Sequence, residues 1–261
     1  MKKYKKLFYP QCQKKLISLI IPCKDREELT TKCLQAIKDK TKNKEDIQVI
    51  TITDLETPSD QQMIANIYNS LIKDGSYFPL INISRPTSAH INRDYYNLGN
   101  TITSSYFTWI IGNDVIIETQ DWDRILYNKT KNILPLIEED DKYFYIHIND
   151  DTHVKLGYHK TRGNCFPIIS NNYSYKIRGP MPEDYPAWGA DYALVPVYNK
   201  LGFEIIDLIN DISVTHVSVH SQRAPSDHIY NLMMQRSKTP PALDSNFKSI
   251  LLYEDIKELI Y

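Results

Sequence analysis

The chain has 261 residues, 42% of them hydrophobic and 24% charged, with a formal net charge of −1. A chain of this length buries a large core and fits one domain, or one domain with an appendage. Near-neutral charge excludes a general electrostatic bias toward nucleic acid or anionic membrane, and the composition is that of an ordinary globular protein.

The charge is uneven along the chain. Met1 to Lys15 carries Lys2, Lys3, Lys5, Lys6, Lys14 and Lys15 and no acid. This segment reads as a solvated basic tail, with peripheral contact to a membrane surface or an acidic partner as the alternative. Cys12, Cys23, Cys33 and Cys165 form no C-x-x-C pair and have no histidine at zinc spacing. They are expected to be reduced thiols of a cytoplasmic protein. The apolar run Leu16 to Ile21 is too short for a signal sequence or a membrane span.

Leu16 to Ile21 is continuous and ends at Pro22, which predicts a strand covered on both faces, hence a parallel sheet. Asp25 is placed to cap a helix from about Arg26 to Lys40, with Leu29, Cys33, Leu34 and Ile37 on one side. A strand over Asp46 to Thr53 ends at Asp54. Ser59 is the expected cap of a helix through Ile72. A third strand is predicted over Tyr77 to Ser84, and a third helix over Ala89 to Ser105. Tyr106 to Ile111, bulky and β-branched, is the fourth strand and stops at Gly112-Asn113-Asp114. Strand and helix alternate through short connections, the pattern of a parallel α/β sheet. Its strand ends carry Lys24, Asp25 and Arg26, then Asp54, then Arg85, then Asn113 and Asp114. Those ends share one edge of the sheet, where open α/β folds place ligands.

The second half is patterned differently. Asp121 to Ile137 reads as one helix and Tyr143 to Ile148 as a strand. Residues 149–189 are irregular, rich in Asn, Gly, Pro and Tyr, and a long unpatterned stretch is usually functional. Ala190 to Leu201 can be helical, Phe203 to Ile209 and Ile212 to Val219 read as two strands, and Arg223 to Gln235 and Ser245 to Ile260 read as helices. The expected domains are residues 1–222, with a basic segment at 1–15, and a C-terminal helical extension over 223–261.

No G-x-G-x-x-G follows the first strand and no G-x-x-x-x-G-K-[ST] occurs, so dinucleotide and P-loop phosphate cradles are excluded. A carboxylate-bound divalent metal is the natural alternative for neutralising phosphates, because Mg²⁺ and Mn²⁺ take oxygen ligands. Asp114, just past a buried strand, is the candidate.

From Leu16 to Arg26, LISLIIPCKDR resembles the opening strand of the family 2 glycosyltransferases of GT-A fold, which ends in Pro-Thr-Tyr-Asn-Arg. Asn97-Leu98-Gly99, followed by a helix and FTWIIGND, is similar to that family's run into its DxD motif. Gly112 stands where the first acid belongs, and Asp114 keeps the last. Asp191 stands eleven residues before Gly202, the spacing of the family's late Glu-Asp motif and its Gly-aromatic pair. Here the Glu is Ala190. The resemblance spans about Lys15 to His220 and extends to small single-domain members from bacteria, phages and large viruses.

The resemblance implies a GT-A-like α/β domain, a mixed, mostly parallel sheet flanked by helices. It implies transfer of a sugar from a nucleotide-diphosphate donor, UDP-linked by expectation, to a hydroxyl of a glycan, lipid-linked or protein acceptor. Inversion and a divalent cofactor, Mn²⁺ or Mg²⁺, come with it. Asp114 and His216 are the implied metal ligands, with His220 the alternative to His216. Asp54 falls on the base-contacting acid, and Pro22, Lys24, Arg26, Arg85, Arg93 and Asn113 on the donor side. Asp191 is the implied general base, with Glu183 and Asp184 as rivals, and Trp188 is set toward the acceptor. A helix N-terminus lowers a carboxylate's pKa, so burial has to offset that at Asp191. The rival readings are an inactive nucleotide-sugar binding module and, third, a sugar nucleotidyltransferase. The latter wants a glycine-rich loop that IPCKDR lacks.

Overall fold

The computed structural model describes residues 14–88, 90–140, 142–151, 164–176, 181 and 202–217. The predicted helices over 190–201 and 223–260, and with them the C-terminal extension, lie outside these residues.

The apolar runs fold as the parallel strands that their patterns dictate. Strands β1 (Lys15–Pro22), β2 (Ile47–Asp54), β3 (Leu80–Arg85) and β4 (Ser105–Ile110) lie in the order β3-β2-β1-β4, all parallel. Leu19 and Ile21 face one core, Ile20 the other, and all three are fully buried. That two-sided burial is why β1 carries no polar alternation. Helices α1 (Glu27–Lys40) and α2 (Pro58–Leu71) cover the first face through Cys33, Leu34, Ile37, Met63, Ile64 and Ile67.

Helix α3 covers the second face. It opens as a π-helix over Asn92–Asn97 and closes α-helically over Leu98–Asn100. It is shorter than the predicted 89–105, because the hydroxyls of Thr101 and Thr103 take the carbonyls of Leu98 and Asn100 and end it. Gly99 lets α3 lie directly on the sheet. A Cβ there would stand 2.5 Å from Ile20 Cγ2 and 3.0 Å from Ile52 Cδ1.

The remaining described strands extend the sheet past β4. They are β5 (Val115–Ile117), β6 (Phe144–Asn149), β7 (Ile168–Ser170) and β8 (Glu204–His216), and the full order is β3-β2-β1-β4-β7-β6-β8-β5. β7 runs antiparallel between β4 and β6, and β8 runs parallel to β6. The result is a mixed, mostly parallel eight-stranded sheet with helices on its faces.

Several expectations are corrected here. Residues 149–189 are not wholly irregular, since β7 and the short α6 (Asn171–Lys176) lie within them. The predicted helix over 121–137 is two, α4 (Trp122–Thr130) and α5 (Leu134–Glu138). Pro135 has no N–H to continue the ladder, so the helix restarts there. The two strands expected over 203–219 are one. β8 leaves β6 where the register jumps from Ile148↔Leu208 to Asn149↔Ser213, and its second half pairs antiparallel with β5. The expected caps also differ. Pro58 occupies the start of α2, with Thr57 before it, and pre-sets the helical φ. Arg26, in place of Asp25, precedes α1, and no side chain caps that helix. Among the described residues no helix is long and apolar enough to cross a membrane.

Candidate nucleotide-sugar site

The C-terminal ends of β1, β2 and β4 lie side by side, and two acids stand on that edge, each facing a cation from the β1–α1 turn. The turn is forced into shape. Cys23 N–H donates to the carbonyl of Ile52 at 2.8 Å, which ties the turn to β2. Asp25 and Arg26 then adopt left-handed backbone conformations in succession, with φ of 52° and 59°. Each costs on the order of 1 kcal/mol for a residue with a Cβ. Asp60, in the first turn of α2, holds this conformation by accepting the Asp25 N–H at 3.0 Å. Burial pushes the Asp60 carboxyl above its usual range.

The turn sends the Arg26 guanidinium across to Asp114. Nη1 stands 2.7 Å from Asp114 Oδ2, with the two side chains 18% and 11% exposed. A pair this close and this sheltered is screened far less than a surface ion pair. The pairing of β5 with β8 brings the third member. Val115 lies opposite His216, and the N–H of Val217 donates to the Asp114 carbonyl at 2.9 Å. His216 Nε2 comes within 3.5 Å of Asp114 Oδ1, and its ring meets Phe166 edge-on at 4.9 Å. His216 Nδ1 is buried with no hydrogen-bond partner.

The 112–114 turn is fixed from beneath by α1. Asn113 Nδ2 donates to Thr30 Oγ1 at 2.9 Å, and Cys33 Sγ lies 3.7 Å from the Gly112 carbonyl. Burial raises the Cys33 thiol to about 12, so it is a packed neutral group, not a thiolate ligand. The amide of Asn113, expected on the donor side, is engaged with the fold.

The second acid, Asp54, ends β2 and is 1% exposed. Tyr95, from the π-helical turn of α3, donates its hydroxyl to Oδ1 and accepts the Ser88 N–H at 3.2 Å. Burial, and then the Asp54 carboxylate, push the Tyr95 hydroxyl well above its usual range, so it stays a donor. Lys24 Nζ stands 3.6 Å from Asp54 Oδ2, an oxygen with no hydrogen-bond partner. Arg85 lies over the Tyr95 ring, 4.8 Å from its centroid, and 3.8 Å from Asp94 Oδ2. Arg93 chelates the same Asp94 through Nε at 2.8 Å and Nη2 at 2.9 Å.

Of the residues singled out in the sequence, the structure gathers Arg26, Asp114 and His216 into one cluster and Lys24 and Asp54 into a second beside it. Pro22 ends β1 between them, paired with Ile52. Arg85 joins the second cluster through Tyr95, and Arg93 lies at its exposed margin. Asp191, Glu183, Asp184, Trp188 and His220 lie outside the described residues. Met181, the described residue that precedes Glu183 and Asp184, has its N–H and carbonyl both bonded to the Asn97 amide, at 3.0 and 2.9 Å. Tyr95, Thr30, Asp60 and Phe166 were not signalled by the sequence. Asp60 alone left a trace there, as an acid in the first turn of a helix that follows Asp54.

Among the described residues no group of three or more His, Cys, Asp or Glu side chains gathers to hold a metal. One carboxylate oxygen and one imidazole nitrogen, Asp114 Oδ1 and His216 Nε2, face each other. That donor set fits Mg²⁺ or Mn²⁺ only where other oxygens complete the shell, as substrate phosphates commonly do.

No protein-family model matches the sequence, and no curated protein matches it either. Solved structures do. The chain is similar to a mannosyltransferase, PcManGT from Pyrobaculum calidifontis in complex with GDP-Man and Mn²⁺, with TM-score 0.58 and 13% identity over 96% of this chain and 78% of that one. It is similar to TarS residues 1–349 of S. aureus in complex with UDP, with TM-score 0.54 and 12% identity over 85% of this chain and 64% of that one. The same TarS piece in complex with UDP-GlcNAc gives TM-score 0.53 and 12% identity over 94% and 72% of the two chains. The chain thus spans less than two thirds of the first TarS structure, and 38% of the full TarS chain. At this identity the likeness establishes a GT-A-like fold.

Proposed function

We propose that the protein is a glycosyltransferase of the family 2 type. It moves a sugar from a nucleoside-diphosphate donor, UDP-linked by expectation, to a hydroxyl acceptor with inversion. The observation that carries this reading is the pair of acid–cation clusters on one sheet edge, Asp54 with Lys24 and Asp114 with Arg26 and His216. Three structures with this fold, of two proteins, hold UDP, UDP-GlcNAc or GDP-Man.

The residues divide the work by their chemistry. Asp54 Oδ2, buried and without a donor, suits the N–H of a base, and Lys24 suits a neighbouring carbonyl. Arg26 presents planar N–H donors to the diphosphate, a geometry that guanidinium shares with phosphate oxygens. Asp114 and His216 would hold a divalent ion, which neutralises charge on the departing diphosphate when bound. Asp191 is the proposed general base, taking the proton of the acceptor hydroxyl as it attacks. Residues 149–189 are proposed as the acceptor side, with Trp188 toward the acceptor and Glu183 and Asp184 next in line as base.

A thermal-shift screen of nucleotide-sugars with and without Mn²⁺ tests this. UDP-sugars should raise the Tm, Mn²⁺ should add to the shift, and Asp114→Ala should remove the added part. If no nucleotide stabilises the protein, or if Asp114→Ala keeps the metal-dependent shift, the proposal fails. Asp191→Asn should keep binding and lose transfer. Binding without transfer or hydrolysis in the wild type would select the inactive-module reading, which the departures at Gly112 and Ala190 keep open.

A further inference from the structure

We infer that Gly112 is a positioning residue. The side chain missing at 112 lets the Asp114 carboxylate lie against its own turn, where Arg26 and His216 hold it. Gly112-Asn113-Asp114 is then a rebuilt one-acid site and not an eroded two-acid one. The inference deepens the proposed function, since it rests on Asp114 serving the donor diphosphate.

The backbone does not explain the glycine. Gly112 lies outside the left-handed region that Gly75 and Gly202 occupy, with φ of +76° and +70°. Space does explain it. A Cβ at 112 would stand 2.5 Å from Asp114 Oδ1 and 3.7 Å from Cγ, with Phe166 Cε1 at 3.4 Å. Non-bonded heavy atoms settle near 3.5 Å or beyond, so the first contact is not tolerated. The offending atom is the end of a rotatable side chain, so the carboxylate yields and the fold does not.

The carboxylate is placed by partners on both of its oxygens. Oδ2 is 2.7 Å from Arg26 Nη1, Oδ1 is 3.5 Å from His216 Nε2, and Phe166 packs edge-on against that imidazole. Turning Asp114 away from a Cβ at 112 gives up the Arg26 contact, the His216 contact, or both. An acid at 112 adds like-charge repulsion to the same clash, because two carboxylates sharing one site disfavour joint ionisation. Restoring the missing acid should therefore damage the site.

The test uses the full-length protein with Gly112→Ala and Gly112→Asp. Mn²⁺ binding with UDP or GDP present is read from loss of the free-ion EPR signal. Thermal unfolding is read across a cycle of Gly112→Ala and Asp114→Ala. Gly112→Ala should weaken nucleotide-dependent Mn²⁺ binding by about tenfold or more, the scale of losing one partner that orients a metal ligand. Gly112→Asp should weaken it at least as much. In the cycle, Gly112→Ala should raise the unfolding equilibrium constant by about fivefold, a usual size for coupling between touching residues. In the Asp114→Ala background it should be neutral or stabilising, because an alanine without a clash restricts the unfolded chain. Tighter Mn²⁺ binding by Gly112→Asp, or equal effects of Gly112→Ala in both backgrounds, overturns the inference. So does a Gly112→Ala protein that fails to fold. If the wild type binds no Mn²⁺ with either nucleotide, the functional reading falls, and the unfolding cycle decides the role of Gly112 by itself.

Discussion

The two acids of the sheet edge occupy equivalent places and are held in opposite ways. Asp54 ends, and Asp114 follows, a parallel strand adjacent to β1, and each faces a cation from the same turn, Lys24 or Arg26. Asp54 is 1% exposed and is fixed by a neutral hydroxyl, with its cation at 3.6 Å. Asp114 is 8% exposed and is fixed by its cation at 2.7 Å, with an imidazole on its other oxygen. The buried acid is set by shape and keeps one oxygen without a hydrogen-bond partner. The more open acid is set by charge, and its partners are themselves suited to phosphate and metal. The four residues between β1 and α1, Cys23 to Arg26, thus supply the cation that faces each acid.

Substitutions at the two acids should separate these roles. Asp114→Ala is expected to have the largest effect, a loss of about a thousandfold in transfer, since metal and counter-charge contribute several kcal/mol to phosphate chemistry. Binding of uridine, which has no phosphate, should be nearly unchanged. Asp54→Ala should weaken uridine and UDP alike, by about tenfold to a hundredfold, as expected when a hydrogen bond to a charged group is lost. Calorimetric titration of both ligands against both variants checks the pair. Equal losses for uridine and UDP in Asp114→Ala would merge the two sites into one.

Tyr95→Phe probes how much shape matters at Asp54. It removes the hydroxyl from Oδ1 and leaves the Ser88 N–H without that acceptor. A loss of about 1 kcal/mol in stability is expected, the net worth of a typical internal hydrogen bond, with UDP affinity falling by about fivefold. Chemical denaturation and titration check both. Unchanged affinity would show that the acid needs no partner to stay aimed.

The parallel half of this edge was readable because a strand buried on both faces leaves an unbroken apolar run. Leu16 to Ile21 and Tyr106 to Ile111 announce themselves, and so do the polar residues on which they end. β7 did not, because Ile168–Ser170 is three residues set among Pro167, Asn171 and Asn172 and gets its stability from β4 and β6 on either side. β8 was misread as two strands because a change of partner leaves no mark in the sequence. On this edge the sequence placed Arg26 and Asp114 at strand ends and the family resemblance added His216, and the structure brings the three together. Tyr95 was not, because it sits mid-helix and meets Asp54 only after a π-turn widens α3. The packing of α1 adds what the sequence does not show, that Asn113, expected on the donor side, donates its Nδ2 to Thr30 Oγ1.

The smallest effect concerns the support of the Asp54 side and depends on pH. Hydrogen bonds from Arg93 and, to a lesser extent, from Ser88, with Arg85 adding charge, outweigh the opposing effect of burial and pull the Asp94 carboxyl down to about 2. In the unfolded chain an aspartate titrates near 3.9, as a rough reference. A group whose folded pKa is depressed stabilises the fold above its unfolded pKa and loses that contribution as pH falls through the folded value. Asp94 should therefore support the fold in full above about pH 4 and progressively less toward pH 2, as Arg85 and Ser88 lose their anchor. Asp74 is also pulled down to about 2, by Ser76, on an exposed loop, so the wild-type acid profile contains both groups. Asp94→Asn should flatten part of the stability loss between pH 4 and 2, and Asp74→Asn a separate part. Only the first should change how Tyr95 fluorescence or UDP binding responds in that window. Identical responses of the two variants would detach Asp94 from the Asp54 cluster.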